Sequence, residues 1–103
     1  MAIQSITEIQ LLADATSTGD GGSFNVSSLK GLTFFLKATG AGTLKIQAYV
    51  GGEWFDLHEE IFGGAGTKVL YQNNGAYDKV RANLTARTSG NFSAYAVGSK
   101  IGL

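Results

Sequence analysis

Neither cysteine nor proline occurs among the 103 residues. The first absence excludes a disulfide framework, a thiol nucleophile and any Cys-based metal site, so stability has to come from packing alone. The second removes the residue that most simply blocks a sheet edge and leaves the turns to glycine and asparagine. Charge is also scarce. Lys, Arg, Asp and Glu make up 16% of the chain, against about 25% in ordinary soluble domains, and eight basic residues cancel eight acidic ones. A net charge of zero lacks the electrostatic footprint of a sequence-independent nucleic-acid binder, and it gives a weakly self-repelling surface that favours life inside an assembly. No apolar run approaches the roughly 20 residues that span a bilayer, and residues 1–7 have neither a basic flank nor a continuous apolar region. The expectation is a chain made in a cytoplasm, with neither membrane nor nucleic acid as a partner.

What is present is glycine, fifteen in all, twelve of them gathered with Ser, Thr and Asn at residues 17–22, 38–42, 51–52, 63–66, 73–75 and 89–91. Turn signals at such short intervals separate strands of a sandwich or barrel. The strands are predicted at residues 9–15, 24–26, 32–38, 44–50, 54–61, 67–72, 77–87 and 91–97. In the strand 44–50, Leu44, Ile46, Ala48 and Val50 form an apolar face and Lys45, Gln47 and Tyr49 the opposite one. Leu32, Phe34, Leu36 and Ala38 alternate in the same way against Thr33, Phe35 and Lys37. Val80, Ala82, Leu84 and Ala86 are the inward set of the longest strand, and Ile9, Leu11 and Ala13 that of the first. Trp54 reads as a plug between two sheets, and Trp54-Phe55 as the site of a bulge. One domain of this length buries roughly 65% of the surface its unfolded chain exposes. The fold class is therefore all-β: a two-layer antiparallel sandwich of about seven to eight strands, jelly-roll or immunoglobulin-like, with a small barrel as the alternative. Residues 13–103 form this single domain. Residues 1–12 form an N-terminal arm or first strand, although the spacing of Ile3, Ile6, Ile9 and Leu12 also fits a short helix, against which the β-branched content argues.

Groups able to carry chemistry are few. His58 is the sole histidine and lies in Asp56-Leu57-His58-Glu59-Glu60, where Asp56 and His58 share a strand face by period 2. No H-E-x-x-H spacing accompanies it, and catalysis needs a nucleophile or metal beside it, so a solvated surface is the simpler reading. Gly19-Asp20-Gly21-Gly22 offers one carboxylate, whereas a calcium loop gathers several. Gly63-Gly64-Ala65-Gly66-Thr67-Lys68 lacks the Gly-Lys-Ser/Thr ending of a phosphate loop, and Val69-Leu70-Tyr71 continues it as strand. No catalytic residue, metal or cofactor is assigned. The aromatics carry more weight, because Tyr49 and Tyr95 fall on outer faces, where aromatics mark protein interfaces or sugar platforms. Lys79, Arg81 and Arg87 make a basic row on the longest strand, able to meet an acidic partner.

The pattern Gly52-Glu53-Trp54-Phe55-Asp56-Leu57, followed after a glycine loop by Tyr77-Asp78-Lys79-Val80-Arg81-Ala82-Asn83-Leu84-Thr85, resembles small β-sandwich structural proteins of tailed bacteriophage virions. Within that group it is most similar to capsid decoration or cement proteins, and the likeness runs over residues 23–98. The resemblance implies a non-enzymatic virion component, a homo-oligomer whose partner is the major capsid protein or another virion protein; tail and neck proteins share the pattern. The expected interface residues are Ile3, Ile6, Lys45, Gln47, Tyr49, Lys79, Arg81, Arg87 and Tyr95, with residues 1–12 lying across a neighbour and residues 100–103 as a second arm. A carbohydrate-binding module that stacks sugars on Trp54, Tyr49 or Tyr95 is the competing expectation.

Overall fold

The computed structural model describes residues 3–72 and 77–102, with side chains for residues 6–70 and 77–99; the expected turn at 73–75 lies outside the described residues. All regular structure within them is strand: β1 (Ile3–Ala15), β2 (Gly19–Asp20), β3 (Phe24–Asn25), β4 (Lys30–Ala38), β5 (Gly42–Val50), β6 (Glu53–Phe62), β7 (Gly66–Gln72), β8 (Lys79–Arg87) and β9 (Phe92–Gly102). The first half of the chain pairs antiparallel with the second in nested order: β1 with β9, β2 and β3 with β8, β4 with β7, and β5 with β6. Counting β2 and β3 as one interrupted strand, this is jelly-roll topology. It sets a sheet ordered β1-β9-β4-β7 (sheet A) against one ordered β2-β8-β5-β6 (sheet B). The apolar segment 1–12 is thus a strand where described, paired with its own chain rather than reaching away from it.

Alternation places the core. Leu32, Phe34, Leu36 and Ala38 on β4 are buried, as are Leu44, Ile46 and Ala48 on β5 and Val80, Ala82 and Leu84 on β8. Each large side chain so placed contributes about 1.5–3 kcal/mol relative to exposure. Phe62 and Phe92 meet edge to face across the sandwich, ring centroids 6.2 Å apart.

Four expected core positions fall elsewhere, each for a local reason. Val50 is 54% exposed because the β5–β6 hairpin overhangs its neighbour: Tyr49 is the last β5 residue paired with β8. Ala86 is exposed because the β5–β8 ladder shifts between Thr43 and Leu44. Ala13 is exposed, and Leu11 and Leu12 are both buried, because β1 slips register between Gln10 and Leu12 and again before Ala15. Trp54 is half-buried on the outer face of sheet B, where its register partner is the outward Tyr49. Paired residues share a face, so Trp54 cannot plug the interior, and Phe34 and Phe92 are the largest fully buried side chains. The hairpin turns at Gly51 and Gly52, whose φ of 60° and 86° is the pair of left-handed conformations that a tight two-residue turn requires.

Candidate interaction faces

The two sheets present outer faces of different character, polar at the centre of sheet B, which exposes Ile61 at its margin, and apolar at the centre of sheet A. On sheet B, neighbouring strands bring complementary side chains into register, and these join in one hydrogen-bonded chain. Arg81 on β8 donates from one terminal nitrogen to Asp20 Oδ2 on β2 (2.8 Å) and from Nε to Gln47 Oε1 on β5 (2.8 Å). Gln47 Nε2 donates to Asp56 Oδ1 on β6 (2.7 Å), and Lys45 Nζ reaches Asp56 Oδ2 at 2.8 Å and Glu59 at 3.5 Å. The Lys45 hydrogen bond, with help from Gln47, holds the Asp56 carboxyl below the usual carboxylate range. The same bond holds the Lys45 ammonium above its ordinary value.

The aromatics of this face each have a cation of their own chain beside the ring, although Tyr49 stays 37% exposed. The Arg81 guanidinium lies 4.2 Å from the Trp54 ring centroid and Lys79 Nζ 5.4 Å from that of Tyr49, while the two rings stand 5.2 Å apart and tilted. Arg87 Nε donates to the Gly90 carbonyl at 2.8 Å. The basic row of β8 is therefore engaged inside its own chain, and Gln47, expected on the surface, is only 8% exposed. Asp20, the single carboxylate of the glycine-rich turn, is taken by Arg81.

His58 does not share a face with Asp56. A bulge between those two residues turns His58 into register with the fully buried Ile46, toward the inner side of edge strand β6, where Nε2 meets Glu60 Oε1 at 2.8 Å.

Sheet A differs. One register row crosses it as Gln10, Tyr95, Phe35 and Val69, and the next contains Glu8, Val97 and Thr33. Phe35 is 40% and Val69 41% exposed, and Tyr95 and Val97 are half-buried. A depression of about 390 Å³ opens between Glu8, Phe35, Tyr95 and Val97. A second of about 200 Å³ lies on the other side of Phe35, beside Lys37, Thr67 and Lys68. Gln10 Nε2 donates to Tyr95 Oη at 3.3 Å, but among the described residues no ion pair engages Glu8, Lys37 or Lys68.

Of the expected interface residues, Lys45, Gln47, Tyr49, Lys79 and Arg81 thus gather on sheet B in a self-contained network, and Arg87 binds back to its own turn. Tyr95 stands on the apolar face of sheet A. Ile6, 71% exposed, stands on β1 in register with Ser99, at the margin of that sheet. The side chains of Ile3 and of residues 100–103 lie outside those described. Phe35, Val69, Val97 and Glu8, which the sequence reading did not single out, share this face with Tyr95; alternation had already assigned Phe35 to the outward set of β4, where it forms cross-strand pairs with Tyr95 and Val69.

No protein-family model matches this sequence, and no curated protein matches it. Among solved structures, the fold is similar to that of the SPBc2 prophage-derived protein YomS, with a TM-score of 0.72 and 16% identity over 95% of this chain and 96% of that one. It is also similar to the structure of Bacillus endospore appendages described as a novel family of disulfide-linked pili, with a TM-score of 0.58 and 17% identity over 99% of this chain and 88% of that one. At such identities what is shared is the fold.

Proposed function

We propose that this chain is a non-enzymatic structural subunit of a virion, a capsid cement or decoration protein that binds the shell of a tailed phage through the major capsid protein or another virion protein. The observation that carries this reading is the outer face of sheet A, an apolar aromatic row with unpaired charges at its margins, on a molecule whose other face satisfies its own polar groups. A likeness in fold to a prophage-derived protein supports the phage context, and the pilus likeness supports assembly. Pili joined by disulfides need cysteine, which this chain lacks, so its contacts have to be held by packing. The mechanism is mechanical. Each copy covers area across a seam between shell subunits, and many copies binding only the assembled state shift its stability by mass action. Mass spectrometry of purified particles with a copy count tests this. Hundreds of copies per particle are expected; single digits or tens would move the chain to the tail or neck, and absence would refute virion membership.

A carbohydrate-binding module is the second reading, favoured by the Phe35–Tyr95 pair beside the 390 Å³ depression. Trp54 lends it little, since the Arg81 guanidinium already lies over its ring, and Tyr49 stands tilted against Trp54 rather than coplanar with it. Titration with a glycan panel, read at Tyr95, decides between the two.

A further inference from the structure

Sheet B shows how this chain seats a cation. The Arg81 guanidinium lies 4.2 Å from the Trp54 ring centroid and donates to the Asp20 carboxylate and the Gln47 amide oxygen, each at 2.8 Å. Ring, carboxylate and amide come from three different strands. Sheet A brings the same kinds of group to its depression of about 390 Å³: Tyr95 and Phe35, register partners on the two central strands, supply rings, and Glu8 supplies a carboxylate. Gln10, bonded to Tyr95 Oη, places an amide beside them. Among the described residues no ion pair engages Glu8. Lys37 stands on the far side of Phe35, Lys30 is in register with Ser99 one row beyond Glu8, and Lys68 is in register with the buried Leu36.

A carboxylate beside two aromatic rings is complementary to a cation on an apolar stem, because the ring faces and the carboxylate attract the same charge. Arginine suits it better than lysine. Its planar guanidinium stacks on a ring while its fork donates to a carboxylate, as Arg81 does on the other sheet. Val97 lines the same depression and Val69 pairs with Phe35, so a partner seated on this face excludes water and strengthens both contacts. A neutral group in that place would cover Glu8 without pairing it, which is unfavourable. The arginine belongs to another protein, since Arg81 and Arg87 are the only two in this chain and both are bonded within it. We propose that the depression between Glu8, Phe35, Tyr95 and Val97 receives an arginine side chain of the protein on which sheet A docks, its guanidinium stacked on the rings and paired with Glu8. This deepens the reading of sheet A as the docking face and rests on it.

Nuclear magnetic resonance titration of the full chain with the capped peptide acetyl-Gly-Arg-Gly-amide tests the seat, with the citrulline peptide as an uncharged counterpart of the same shape. The arginine peptide is expected to give saturable shifts of the Tyr95 and Phe35 ring signals, and the citrulline peptide to bind about fivefold more weakly. E8Q and F35L, each with an unchanged circular-dichroism spectrum, are expected to weaken arginine binding at least about threefold. The Trp54 indole signal, its ring already beside Arg81, is expected to stay still. The proposal is overturned by the lack of a saturable shift, by a shift confined to Trp54, by equal binding of the two peptides, or by an E8Q or F35L chain that binds as wild type does. A Tyr95 response to a neutral oligosaccharide with none to arginine overturns it too. In particles that contain the wild type, E8K is expected at reduced copy number, and an unreduced count overturns the assignment of the arginine to the partner. Absence of the wild type from particles would refute virion membership and leave the seat to be decided by the titration.

Discussion

Replacing Arg81 with alanine asks whether the outer face of sheet B is a coupled network or a set of independent surface groups. Arg81 is held at three points: Gln47, Asp20 and the Trp54 ring. Its removal strands Gln47 Oε1 on a residue only 8% exposed, which costs about 1–3 kcal/mol. Loss of the cation–π contact adds about 0.5–1 kcal/mol. The Asp20 side chain is 52% exposed, so that pair adds at most about 1 kcal/mol. Water reaches part of the vacated space, which favours the low end of each figure, and R81A is expected to lose about 2 kcal/mol. Urea unfolding followed by the fluorescence of Trp54, the only tryptophan, reads this as a lower midpoint at constant slope, with native emission shifted to the red as the guanidinium leaves the ring. In the R81A background, Gln47→Leu removes the stranded acceptor, so the double variant should lose about 1 kcal/mol less than the sum of the two single losses. An R81A loss below about 0.5 kcal/mol, or strict additivity, would refute the network and return these residues to the surface available for a partner.

Three further outcomes follow from single contacts. Asp56 titrates below its ordinary value of 3.8 in the folded chain, so its stabilising contribution is complete above that value and is lost as pH falls through the depressed folded one. The stability gap between wild type and D56N, from urea midpoints, should hold steady above about pH 5 and close in stronger acid; a gap that ignores pH would contradict the Lys45–Asp56 bond. Gly42→Ala places a methyl 2.6 Å from Phe92 Cζ and 2.5 Å from the Ala86 carbonyl oxygen, and should cost about 1–3 kcal/mol in the same assay. Lys68→Val removes a charge from the inner side of edge strand β7 and should speed aggregation measured by light scattering, whereas an unchanged rate would deny Lys68 a guarding role.

Period-2 alternation was sufficient for the sandwich and for the central core residues on β4, β5 and β8, because the inward side chains there keep strict alternation and only one face of each strand is covered. It failed where the ladders slip. A bulge is decided by the fit of one strand to its neighbour, so nothing inside β6 announces that Asp56 and His58 part company, and nothing inside β1 announces that Leu11 and Leu12 are both buried. Trp54 illustrates a second limit. A lone large aromatic suggests burial, but its face is set by pairing with Tyr49, and its cover comes from Arg81, 27 residues further along the chain. The Asp20–Arg81–Gln47–Asp56–Lys45 network joins residues from four strands and is legible only once their order in the sheet is known.

That order also revises what the missing proline means. Proline-free edges would be open to pairing, and association would then run along a strand edge. Each edge here carries another obstacle. β6 is bulged beside the His58–Glu60 pair on its inner side. β7 sends Lys68 from the inner face at its rim, in register with the buried Leu36. β1 is bulged twice, with Asp14 at a φ of 43° between Leu12 and Ala15. β2 and β3 are two residues long. Inward charges, bulges and short edge strands all oppose edge pairing without proline. Any association of this chain is thereby directed to a face. Sheet B spends its charges on itself, and breaking Arg81 or Lys45 contacts to bind a partner would cost what the partner returns. Sheet A can bury Phe35, Tyr95, Val69 and Val97 with no internal bond to break except the long Gln10–Tyr95 one, and among the described residues no ion pair engages its Glu8 or Lys37.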